Sequence, residues 1–188
     1  MNNLDEFVKI LLVGDSKVGK TSLMFRFTDD IFTEHECWKK SLYDYRTKTI
    51  KTDNHKNIKM QIWHARRHER FHTMTSSLAS RCHGASAIMF LYDVTNGKTF
   101  DHVTGWLRLI GRHVGDHVVR VVVGNKGDLG EGRVVAREKG VEVARQHGAD
   151  FFEVSAKDGG GVEEAFRGVV DSVMERRRKM NQDVDDRG

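Results

Sequence analysis

Gly14, Gly19, Lys20 and Thr21 stand at the spacing G-x-x-x-x-G-K-T within the stretch ILLVGDSKVGKT. The chemistry this spacing serves is a grip on polyphosphate. Glycines let successive backbone N–H groups converge on phosphate oxygens, and a helix starting at the end of the loop adds unpaired amides and the positive end of its dipole. Lys20 is expected to reach the β- and γ-phosphates, and the Thr21 hydroxyl to hold Mg²⁺. Such a motif carries weight between a strand and a helix. Here it follows the apolar run Phe7 to Val13 and precedes a segment, Ser22 to Phe27, that reads as helix. The expected phosphate-side set is Gly14, Asp15, Ser16, Lys17, Val18, Gly19, Lys20, Thr21 and Ser22.

A second group lies far along the chain. Asn125, Lys126 and Asp128 follow the apolar run Val118 to Val123, and Ser155, Ala156 and Lys157 follow Phe151 to Val154 in the same way. Two loops leaving two strands are thus expected to converge on one edge. A carboxylate at Asp128 can accept two N–H bonds from guanine, at its ring nitrogen and its exocyclic amine, a pattern adenine lacks. A base that refused them would leave a charged acceptor unpaired, at a cost of several kcal/mol on the rough scale for charged hydrogen bonds.

The elements that must position these groups alternate. Phe7 to Val13 reads as a buried parallel strand, followed by a first helix and by an aperiodic loop over Asp29 to Lys40. Ser41 to Thr52 and Asn57 to Trp63 alternate as strands, with TDNHK between them as a hairpin turn. His64 to His72 is polar and leads into a helix-compatible stretch ending near Arg81 to Gly84. Ala87 to Tyr92 is a strand, and Thr99 to Val114 has apolar residues at Phe100, Val103, Leu107 and Ile110, a helical spacing. The strand Val118 to Val123, a helix Ala136 to His147, the strand Phe151 to Val154 and a last helix from Val162 to about Lys179 complete the pattern. Such alternation predicts an α/β fold with a mostly parallel sheet and its ligand at the carboxyl ends of the strands.

Composition bounds the rest. The chain has 188 residues, 38% of them hydrophobic and 31% charged, which suits one well-buried core. A single domain over residues 1–180 and a short disordered tail over 181–188 are expected. No apolar run approaches a membrane span, and MNNLDEFVKI lacks the form of a secretory leader, so a cytoplasmic location is expected. Cys37 and Cys82 form no disulfide framework or zinc spacing. The formal charge of +4 includes the run Arg176 to Lys179, which reads as a solvated helix face, and no RNA-binding or zinc-finger motif accompanies it. No nucleic-acid partner is therefore expected.

The order of motifs resembles the small GTPases of the Ras superfamily, and the fillers resemble the Rab branch. WxxxxxERF at Trp63 to Phe71, YDVTNGKTF at Tyr92 to Phe100, GNKGDL, EVSAK at Glu153 to Lys157 and GVEEAF at Gly161 to Phe166 carry the likeness. It spans Phe7 to about Val173. It implies the P-loop NTPase fold of small GTPases, with a mostly parallel six-stranded sheet flanked by about five helices, and GTP or GDP with Mg²⁺ as cofactors. It further implies that Asn125 and Lys126 brace the loops and flank the base, that Ala156 offers an N–H to the guanine oxygen, and that Phe32 stacks on the base.

The chain departs from that pattern in both switch segments. Where Rab proteins carry WDTAGQERF, this chain has Trp63, His64, Ala65, Arg66, Arg67, His68, Glu69, Arg70 and Phe71. His64 replaces the aspartate that supports Mg²⁺, Arg67 the glycine that meets the γ-phosphate, and His68 the glutamine that orients water. Counting back from Ile50 puts Lys40 in place of the Mg²⁺-binding threonine, and Ser41 would serve only if the loop shifts. The charge changes disfavour a divalent cation beside a polyphosphate, each close pair counting roughly 4 kcal/mol at 4 Å under an effective dielectric of 20. Arg66 or Arg67 could donate to phosphate in place of the metal, or face solvent or a partner. His64, His68 and His72 recur every four residues, so on a helix they would line one face and could share zinc, or simply meet solvent.

The resulting expectation is a guanine-nucleotide-binding Rab-like domain with weakened Mg²⁺ and impaired hydrolysis. No catalytic residue is assigned, His68 being a poor substitute for a water-positioning amide. The switch surface is expected to meet protein effectors or regulators, in the setting of vesicle trafficking. An active GTPase switch and a nucleotide-free scaffold are the competing readings. The final DVDDRG holds no cysteine to accept a prenyl group, so either a prenylated end lies beyond this sequence or membrane contact is weak or made through a partner.

Overall fold

The computed structural model describes residues 6–32, 45–52, 55–64 and 76–185. Strand β1 (Glu6–Gly14) leads into helix α1 (Lys20–Asp29), and β2 (Tyr45–Lys51) and β3 (Asn57–His64) form the expected antiparallel pair. Helix α2 (Ser76–Cys82), β4 (Ala87–Asp93), α3 (Gly97–Gly111), β5 (Val119–Asn125), a 3-10 turn at Gly130–Gly132, α4 (Arg137–Gln146), β6 (Asp150–Glu153) and α5 (Val162–Asp185) follow. The six strands lie in the order β2-β3-β1-β4-β5-β6, and every pair except β2 with β3 is parallel.

The continuous apolar runs are explained by burial on both faces. Along β1, Val8, Ile10 and Leu12 point into one core layer, shared with α1 and α5, while Leu11 and Val13 point into the other, shared with α2 and α3. A parallel sheet sandwiched between helices has no wet face, so the middles of its central strands are mostly apolar, with Lys9 and Arg120 toward their starts and Asp93 and Asn125 at their ends. In the first layer the Phe27 and Phe166 rings stack with centroids 4.0 Å apart.

Several boundaries differ from those expected. Helix α3 begins at Gly97, ahead of Thr99, because the Asn96 side chain accepts from Lys98 N and caps it. Helix α5 continues past Lys179 to Asp185, so residues 181–185 are helix where a disordered tail was expected. The basic run near its end is only partly a solvated face. Arg176 donates to the Asp116 and Val118 carbonyls, and Arg177 reaches Glu6 Oε2 at 2.8 Å, the Phe7 carbonyl at 3.0 Å and Ser86 Oγ at 3.1 Å. These two arginines fasten α5 to the starts of β1 and β5, leaving Arg178 and Lys179 exposed. Among the described residues no helix is long and apolar enough to cross a membrane.

Candidate nucleotide site

The register brings the relevant strand ends together. Gly14 pairs with Leu91, Asp93 with Asn125 and Gly124 with Glu153, so the loops after β1, β4, β5 and β6 leave one edge of the sheet. Gly14 turns the chain there with φ 142°, and a Cβ on it would lie 2.3 Å from the Leu91 carbonyl oxygen. Gly19, at φ 95°, is held as tightly, since its Cβ would meet Asn125 Nδ2 at 2.3 Å. Both motif glycines are thus required by close approach as well as by conformation.

Between them, Ser16 and Lys17 are exposed and the Val18 side chain is fully buried, so Val18 serves the loop through its backbone. Lys20 Nζ donates to the Gly14 and Asp15 carbonyls at 2.6 Å each, bridging the start of the loop. Thr21 and Ser22, in the first turn of α1, are half-buried. Asp15 is drawn toward α3, where His102 Nδ1 lies 2.6 Å from one carboxylate oxygen and Trp106 Nε1 donates to the other at 3.0 Å.

Asn125, only 1% exposed, ties three loops together. Its Nδ2 donates to the Val18 carbonyl at 2.8 Å and its Oδ1 accepts from Ala156 N at 3.2 Å. The Ser155 hydroxyl donates to Asp128 Oδ1 at 2.7 Å and accepts from Lys157 N and Asp158 N. Lys126, in a left-handed conformation at φ 67°, pairs with Asp93. Burial alone would push the Asp93 carboxyl up, but hydrogen bonds from Lys126 and from the Thr95 side chain and backbone hold it below its ordinary value. Asp128 and Lys157 are exposed.

Phe32 stands apart from this network. It is half-buried and packs against the core layer of α1 and α5. Three further residues join the site without having been singled out from the sequence. Arg26 donates to the Ala156 carbonyl at 2.9 Å and the Lys157 carbonyl at 2.6 Å, and Asp93 and Thr95 support Lys126. Asp93 had a usable signal, its place at the carboxyl end of a strand. Arg26 had none, being one basic residue in an amphipathic helix.

The residue beside Thr21 is an imidazole. His64, the last residue of β3 and 9% exposed, places Nδ1 3.5 Å from Thr21 Oγ1. Mg²⁺ demands oxygen ligands in near-ideal octahedral geometry, and this nitrogen neighbour does not fit it. Among the described residues no cluster of three or more histidine, cysteine or acidic side chains is arranged to hold a metal. The helical zinc face is corrected in part, because His64 belongs to a strand and cannot start a helical i, i+4 series. Lys40, Ser41, Arg66, Arg67, His68 and His72 lie outside the described residues, as does Cys37, while Cys82 is a buried free thiol.

A glycine-bounded loop between a parallel strand and a helix, braced against two loops at neighbouring strand ends, defines an α/β fold of the P-loop GTPase architecture. The Ras family model matches residues 9–175. The chain is 42% identical over 170 residues to Ras-related protein Rab-10 of Caenorhabditis elegans, covering 90% of this chain and 82% of that one. It is likewise 42% identical over 178 residues to Ras-related protein Rab-8B of Homo sapiens, covering 94% and 84%. The chain therefore belongs to the Ras family, as a Rab-type small GTPase.

Proposed function

We propose that this domain binds guanine nucleotide with weakened support from Mg²⁺ and impaired hydrolysis, and acts as a regulatory, partner-binding module in vesicle trafficking. The observation that carries the nucleotide part is Asn125, whose amide links the phosphate loop to the second base loop through Val18 and Ala156. In this reading Gly14 to Ser22 hold the phosphates, Asp128 reads the base, Ala156 N–H meets its oxygen, Ser155, Lys157 and Lys126 support that end, and Phe32 stacks.

The altered chemistry rests on His64. An imidazole beside Thr21 supplies neither the negative charge nor the oxygen that a hard cation takes, so Thr21 is left as the protein's metal ligand. Phosphoryl transfer depends on positioning water and neutralising developing charge, and His68 lacks the amide that would do the positioning. Hydrolysis should suffer more than binding. The protein is placed in the cytoplasm, peripheral to endomembranes through a partner, with effectors or regulators met at the switch segments.

Chromatography of nucleotide released from the purified protein tests the first part, and single-turnover hydrolysis with and without Mg²⁺ tests the second. Released GTP or GDP with turnover well below that of an ordinary slow GTPase is the expected result. No released nucleotide, and none taken up on incubation, would overturn the binding reading in favour of a nucleotide-free scaffold. Turnover at an ordinary small-GTPase rate would overturn the impairment.

A further inference from the structure

Lys17 is an exposed lysine inside the phosphate loop, held at φ 68°. That left-handed region is one that an L side chain adopts at a cost and glycine adopts freely. Strain of this kind, kept in a ligand-binding loop, points to a use for the side chain. The neighbouring charges define the use. Lys20 is engaged by the Gly14 and Asp15 carbonyls, Lys126 by Asp93, and Arg26 by the Ala156 and Lys157 carbonyls and Asp30. The acid of the loop, Asp15, is occupied by Trp106 and His102. Lys17 makes no ion pair with a described residue, so its exposed ammonium is available to a ligand seated on the loop.

We propose that Lys17 is a phosphate-binding cation that substitutes for part of the charge of the divalent metal, so that the form of ligand this loop takes is the metal-free guanine nucleotide. The inference rests on the nucleotide reading above and deepens it. The oxygen ligands that would favour Mg²⁺ are diminished by His64 beside Thr21, while an added ammonium between Gly14 and Gly19 favours the bare anion. An ammonium on a flexible stem acts as a point charge and needs no fixed fork geometry, which suits a loop position exposed to solvent.

The test is a titration of fluorescent GDP into nucleotide-stripped wild type, Lys17→Gly and Lys17→Arg, in excess EDTA and again in excess Mg²⁺. In EDTA, Lys17→Gly should bind about tenfold or more weakly, the scale of a lost charge-assisted hydrogen bond, and Lys17→Arg should stay close to wild type. In Mg²⁺ the loss should be smaller, and raising the salt should weaken wild type more than Lys17→Gly. The nucleotide-free Lys17→Gly protein should unfold at the same temperature as wild type or higher, since glycine relieves the backbone, which separates lost binding from lost folding. Equal affinity of wild type and Lys17→Gly in EDTA overturns the proposal, and a loss of equal size in both buffers overturns the substitution for metal. Absence of binding by wild type in both buffers overturns the nucleotide reading itself.

Discussion

The indole N–H of Trp106 in α3 donates to Asp15 Oδ1 in the phosphate loop at 3.0 Å, across 91 positions of sequence. Trp106 is 1% exposed, so the bond forms at the edge of the core, and His102 approaches the other carboxylate oxygen from one turn earlier on the same helix. The acid of a loop suited to anions is thereby turned toward a helix donor. Helix α3, which contributes nothing to the sequence motif, fixes the loop's first side chain.

Trp106→Phe should therefore destabilise the protein by about 2 kcal/mol, combining a lost hydrogen bond to a carboxylate with a small cavity. Urea unfolding at neutral pH measures it. A change below about 0.5 kcal/mol would show that the bond contributes little to the fold.

Asn125→Ala should cost about 2–4 kcal/mol, because the Val18 carbonyl and the Ala156 N–H each lose a buried partner. The same variant should loosen both ends of the site together, read as faster amide exchange at Gly19, whose N–H shares a peptide unit with the Val18 carbonyl, and at Ala156. Exchange that rises at one end alone would contradict a shared brace.

His64→Asp returns a carboxylate to the place beside Thr21. Guanine nucleotide should then bind tighter with Mg²⁺ than with EDTA by about tenfold or more beyond wild type, a part of the roughly 4 kcal/mol of one close charge pair, the rest being offset by desolvation of the ions. Equal Mg²⁺ dependence in the two proteins would mean that His64 does not weaken metal binding.

Acid should weaken the Lys126 to Asp93 link. The folded carboxyl of Asp93 lies below its ordinary value of about 3.9, so the unfolded chain binds the proton first. The contribution is fully present above about pH 4 and is lost as pH falls through the lowered folded value. The stability gap between wild type and Asp93→Asn should accordingly shrink below about pH 4 in urea unfolding, and a gap that grows there would reverse the sign.

Much of this was legible in the chain because local pattern and global fold agree. The runs Phe7 to Val13 and Ala87 to Tyr92 announce strands buried on both faces, and Gly14, Gly19 and Lys20 lie where a strand passes into a helix. What escaped was carried by tertiary contact. Nothing local to Arg26 announces that its guanidinium will meet carbonyls at Ala156 and Lys157, and the carboxylate of Asp15 reads equally well as solvated until α3 is laid beside it. Arg176 and Arg177 were hidden for the same reason, since a basic run on a helix gives no sign that backbone carbonyls at Asp116, Val118 and Phe7 will receive it.

The braces of the site have a consequence for how the protein is made. The bond from Asn125 to Val18 spans 107 positions, and those from Arg26 to Ala156 and Lys157 span 130 and 131. During synthesis the phosphate loop leaves the ribosome well before the residues that brace it. Long-range contacts of this kind form only after loop closure has been met. A nascent chain halted before β6 would thus hold the Asn125 and Trp106 contacts to the phosphate loop but lack the carbonyls that receive Arg26, and the frame closes only when the loop after β6 has folded back onto α1.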